Sequence, residues 1–130
     1  MQIIVFTLGE QYYAMKSENV EEITTMKEST VVPKAPHYIE GLINLRGNVI
    51  SLVNLSKLLR QEENECYNNI VIIDRENEKL GLLVSDVKEV LKIDEEEIEK
   101  VTNDPKNGVI GVIRMEKTLV NYIDLERIIS

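Results

Sequence analysis

The stretch GLINLRGNVISLVNLSKLL, residues 41–59, recurs 70 residues further on as GVIRMEKTLVNYIDLERII, residues 111–129. All ten apolar positions of the first copy meet an apolar residue in the second, and the nine others all meet a non-apolar one. In a chain that is 43% hydrophobic, agreement at every position has a chance on the order of a few in a million for one ungapped placement. Upstream, residues 4–8 resemble residues 70–74, and YAMKSENVEEI (13–23) lines up with LGLLVSDVKEV (80–90). The chain therefore reads as two equivalent halves, about 1–62 and 63–130. Function is expected where the copies differ, most clearly at Arg46-Gly47 against Glu116-Lys117.

Halves of this length are marginal as independent folds, so they are expected to share a core within one domain and to be able to exchange strands. Hairpins are expected around Gly9-Glu10, with Gly9 suiting the first position of a type II′ turn, and around Arg46-Gly47-Asn48. VEEITTM (20–26) reads as a strand with Val20, Glu22 and Thr24 on one face. Further strands fall at 70–74, 80–84 and 87–93, with DRENEK as a turn. Val49 and Val53 on one face of their strand and Ile50 and Leu52 on the other imply burial on two sides. Pro36 to Glu40 suggests a short helical turn, as does SKLL at 56–59. Asp94 with Glu97 three residues on reads as a helix start, and NDPKNG (103–108) as a polar loop. Many short strands and few helices indicate an all-β architecture of two small barrel-like units.

The net charge of −8 repels phosphate backbones and anionic lipid, and no basic patch offsets it, so neither nucleic acid nor direct membrane insertion is expected. The first residues lack a basic leader region and no apolar run is long enough to span a bilayer, which points to the cytoplasm. Cys66 has no second cysteine to pair with and reads as a reduced thiol in the linker. His37 is the only histidine and adjoins a proline, which leaves no base for a serine or cysteine nucleophile. No zinc cluster or phosphate-cradling loop is visible, and Lys79 stands where a calcium loop at 74–79 would need glycine. No catalytic residue, cofactor or metal is expected. A binding protein is the leading class, with a small enzyme using surface carboxylates as the alternative.

IEGLINLRGNVISLVNL (39–55) closely resembles the signature of CheW-like domains, the coupling proteins of bacterial chemotaxis, and IIVFTLGEQYYAMKSENVEEI (3–23) resembles their amino-terminal segment. The resemblance covers nearly the whole chain and implies a pair of SH3-like five-stranded β-barrels. It implies a non-catalytic adaptor, recruited to membrane receptor arrays, that bridges the cytoplasmic helical tip of chemoreceptors to the regulatory domain of the chemotaxis histidine kinase. A scaffold module of another sensory pathway is the alternative within the family. Arg46 matches the family's characteristic arginine and Glu22 an acid that lies close to it in relatives, so the two are expected to form an ion pair. Val20, Gly41 and Gly47 match positions associated with coupling, and a trough between the barrels is expected to receive the receptor helix. Ser51 departs from the proline that the family often carries.

Overall fold

The computed structural model describes residues 1–61, 66–101 and 108–129. Residues 62–65 of the linker and most of the NDPKNG loop lie outside the described residues. The elements are β1 (Gln2–Leu8), β2 (Gln11–Lys16), β3 (Val20–Thr25), β4 (Ile39–Leu45), β5 (Asn48–Asn54), α1 (Leu55–Leu58), β6 (Asn69–Arg75), β7 (Glu78–Val84), β8 (Asp86–Lys92), β9 (Ile98–Lys100), β10 (Val109–Met115), β11 (Thr118–Ile123) and α2 (Leu125–Ile129). Four hairpins join neighbouring strands, and each tip solves its backbone problem locally. Gly9 takes φ 63°, Arg46 and Gly47 take 53° and 82°, Glu76 and Asn77 take 49° and 68°, and Glu116 takes 49°. Two consecutive residues with positive φ make a type I′ turn, whose twist matches that of the flanking strands.

The strands form two sheets, in the orders β8-β1-β2-β11-β10-β9 and β3-β6-β7-β5-β4. Under the repeat, β1 to β5 correspond to β6, β7, β8, β10 and β11, and that substitution turns the second order into the first, leaving β9 as an added sixth strand. The hairpin β6–β7 thus occupies the centre of the sheet that holds β3, β4 and β5, and β1–β2 the centre of the sheet that holds β8 to β11. Each central hairpin joins the other half by an antiparallel pair, β3–β6 or β8–β1, and by a parallel pair. Leu52 lies opposite Gly81 between β5 and β7, and Tyr122 opposite Ala14 between β11 and β2.

Because both central hairpins are covered on two faces, their alternate residues enter different cores. Ile4, Phe6, Tyr13, Met15, Val71, Ile73 and Leu82 point into one cluster shared by both sheets, which Leu55 and Leu59 also join. Ile3, Val5 and Ala14 face a second cluster with Ile113 and Val120, while Ile70, Ile72 and Leu83 face a third with Ile43 and Ile50. Complete burial of one such side chain is worth about 1.5–3 kcal/mol relative to exposure.

Three local expectations change. Val49 is 64% exposed, so on its face of β5 full burial is reached only at Val53, next to the strand end away from the hairpin. His37 and Tyr38 form a turn closed by Ile39 N–H donating to Pro36 O at 2.9 Å, and the chain is already extended from Ile39. The Asp94 signal yields a single 3₁₀ turn, Glu95–Glu97. Glu97 accepts from the Asp94 N–H at 2.9 Å, after which the chain leaves as β9 and pairs with β10.

Candidate functional site

β3 is an edge strand with a bulge, since Val20 lies opposite Ile73 but Glu22 opposite Ile72. The extra residue, Glu21, directs two adjacent carboxylates to different cations. Glu21 accepts from Lys79 Nζ, and that hydrogen bond raises the lysine's pKa. Glu22 Oε1 accepts from Arg46 Nη1 at 2.6 Å. β3 and β4 are the opposite edges of their sheet, so the Glu22–Arg46 pair ties one edge to the hairpin tip of the other, and the sheet must curl to bring them together.

The pair is an open one, with the Arg46 side chain 74% exposed and that of Glu22 26%. Water and salt screen such a pair, which limits its contribution to about 1 kcal/mol or less. Arginine is also an unfavourable choice for a left-handed backbone position. Gly47, by contrast, suits the turn, and its N–H donates to Asn44 Oδ1 at 3.1 Å. The tip therefore presents a guanidinium that neither the turn nor the fold's stability requires.

Of the residues singled out by sequence, Glu22, Arg46 and Gly47 come together at this tip. Val20 is half-buried and packs against the shared core. Gly41 is buried near the far end of β4, where a Cβ would stand 2.8 Å from the Thr30 carbonyl oxygen. The same reason applies at Gly111, where a Cβ would stand 2.6 Å from Ile98 Cγ2 and 3.0 Å from the Glu99 carbonyl oxygen. In both repeats another segment passes directly over this glycine, residues 29–30 with their bridge to Leu42 over Gly41 and β9 over Gly111.

Sequence reading missed the apolar side chains beside the charged tips. Val49, 64% exposed, follows Arg46-Gly47, and its counterpart Leu119, 58% exposed, follows Glu116-Lys117. Ile23 and its counterpart Val90 are also exposed, at 39% and 46%. The repeat register could have found them, since these positions are apolar in both copies.

A trough of about 730 Å³ is lined from both sheets. Met15 and Ile123 reach it from one sheet and Ile73 and Arg75 from the other, with Ile98 and Tyr122 also in its wall. Around it stand Glu18, Glu95, Asp124 and Glu126 and the bases Lys16, Lys100 and Arg127. At the opposite end of the repeat, Glu40 accepts from Asn54 Nδ2 at 2.9 Å and pairs with Lys57 at 3.0 Å. Burial pushes the Glu40 carboxyl up, but these partners outweigh it and the net pKa is lowered. No group of three or more His, Cys, Asp or Glu side chains among the described residues could hold a metal ion. Nor is any described helix long and apolar enough to cross a membrane.

The family model described as CheW-like domain matches residues 2–130. This chain belongs to the CheW-like family. It is 33% identical to the chemotaxis protein CheW of Thermotoga maritima, over 99% of this chain and 87% of that one. Identity to CheW of Bacillus subtilis is 31%, covering 99% and 86%. The crystal structure of the scaffolding protein TtCheW from Thermoanaerobacter tengcongensis superposes with a TM-score of 0.86 at 30% identity, covering 99% of this chain and 87% of that one. CheW-like domains are adaptors without catalytic activity, which accords the many surface carboxylates a solvating and pairing role and removes the enzyme reading.

Proposed function

We propose that this CheW-like protein couples chemoreceptors to the chemotaxis histidine kinase, binding the kinase's regulatory domain and the receptor's cytoplasmic helical tip within a signalling array. Family membership across residues 2–130 carries this reading. Two surfaces with no residue in common suit it: the tip with Glu22, Arg46, Gly47 and Val49, and the trough lined from both sheets. The tip offers an exposed apolar side chain beside a guanidinium, the composition of an interface anchor. The trough offers the apolar floor and charged rim that an amphipathic helix needs. Val20 and Gly41 serve the coupling indirectly, by holding β3 and β4 in place. The adaptor is cytoplasmic and reaches membrane arrays through its partners.

Calorimetric titration of the chain with the regulatory domain of the host's chemotaxis kinase tests the reading. Saturable binding that weakens about tenfold or more in a folded Arg46→Glu variant supports it and puts the tip at that interface. Absence of binding by the folded wild type refutes the kinase-coupling role and favours a scaffold of another sensory pathway.

A further inference from the structure

The trough holds one polar group that the fold leaves unused. Tyr122 is only 6% exposed, its side chain lines the trough, and its hydroxyl has no hydrogen-bond partner among the described residues. The ring is packed into the core, but the hydroxyl itself is not sealed off, since no fully buried side-chain oxygen or nitrogen among the described residues lacks a partner; it opens on the trough, where an incoming group can meet it. Three carboxylates that also line the trough, Asp124, Glu95 and Glu18, act on this hydroxyl, which burial and their charge together push to a higher pKa.

The bases of the rim do not neutralise this end evenly. Arg75 is taken by Glu126 at 3.1 Å and Arg127 leans on Asp124 at 3.7 Å. Glu18 and Glu95 enter no ion pair among the described residues, although Lys16 and Lys100 stand elsewhere on the rim. An apolar floor thus ends in an unpaired hydroxyl flanked by two unpaired acids.

We propose that the trough accepts a partner helix bearing a lysine or arginine at the edge of its apolar stripe, and that Tyr122, Glu18 and Glu95 recognise that cation. The Tyr122 oxygen accepts a hydrogen bond from the cation, and Glu18 and Glu95 supply the opposing charge. This rests on the reading of the trough as the receptor site, and it names what the site selects. A helix with an acid at that position is disfavoured, since it would meet the like charge of two carboxylates.

The test is titration of the full chain with a folded helical-hairpin fragment of the host's chemoreceptor tip, at two salt concentrations, with isoleucine and methionine methyl resonances recorded. Tyr122→Phe keeps the ring and the core packing, and Glu18→Gln/Glu95→Gln keeps side-chain shape. Each is expected to weaken binding about three- to tenfold, to leave kinase-domain binding unchanged, and in the double variant to flatten the salt dependence. Resonances of Met15, Ile98 and Ile123 should shift on binding. If the wild type binds the fragment but both variants stay within about twofold of it, or those resonances stay still, the recognition proposal fails while receptor binding stands. If the wild type does not bind the fragment, the receptor reading fails and the proposal with it.

Discussion

Reversing the charge at residue 46 separates stability from recognition. Arg46→Glu removes the 2.6 Å contact with Glu22 and sets two carboxylates near each other. The lost attraction is worth about 1 kcal/mol at most. The new repulsion, for charges about 5 Å apart in water, adds about 0.8 kcal/mol. With Arg46 74% exposed, the substituted side chain is free to swing into solvent, so the net cost is expected to settle near 1 kcal/mol. The protein contains its own control, because Glu89 and Glu116 occupy the positions in the second half that Glu22 and Arg46 occupy in the first. For a chain of this size the expected fall in melting temperature is about 3–5 °C, shrinking in 0.5 M salt as the screening length drops to about 4 Å. Thermal unfolding followed by circular dichroism at both salt concentrations measures it. A fall beyond about 10 °C, or one that salt leaves unchanged, would show that Arg46 is a structural residue and would refute the assignment of its guanidinium to partners.

Gly41→Ala should cost about 1–3 kcal/mol, because the new methyl meets the Thr30 carbonyl oxygen at 2.8 Å and backbone must move; chemical denaturation reads it, and a neutral result would contradict the close approach of that segment. Cutting the chain between Arg60 and Tyr67 should leave two fragments that co-elute in gel filtration, since β6–β7 lies between β3 and β5; fragments that separate and stay folded would refute the exchanged topology. Glu40 has a lowered pKa, so its contribution is present above the unfolded value and lost as pH falls through the folded one. The stability gap between wild type and Glu40→Gln should therefore be largest near neutrality and close as the pH drops below about 4, whereas a gap constant between pH 7 and pH 3 in urea unfolding would count against the Asn54–Lys57 contacts as its origin.

Much of the fold was legible because it is written in local chemistry. Gly9 marked its turn, the β-branched runs marked the strands, and the matched apolar pattern of residues 41–59 and 111–129 marked the two halves. Periodicity assigns a residue to a face but not a strand to a neighbour. The parallel pairs β5·β7 and β11·β2, which exchange hairpins between halves, left no trace in the pattern. Asp94 and Glu97 gave the signal of a helix start, and one 3₁₀ turn satisfied it because the following residues extend to pair with β10. At the tip, Arg46 and Glu22 could be matched to each other, but the exposure of Val49 depends on where the sheet ends. The Tyr122 end of the trough was hidden further, since Glu18 and Glu95 come from segments far from Tyr122 in sequence that only the packed sheets bring to its side of the trough.

Bridging is the central claim, and it is tested most directly by mixing the full chain with both the kinase regulatory domain and the receptor-tip fragment and weighing the complexes by light scattering. Separate surfaces predict one species containing all three proteins, with each partner's affinity unchanged by the other within about threefold. Mutually exclusive binding, in which adding one partner releases the other, would contradict it.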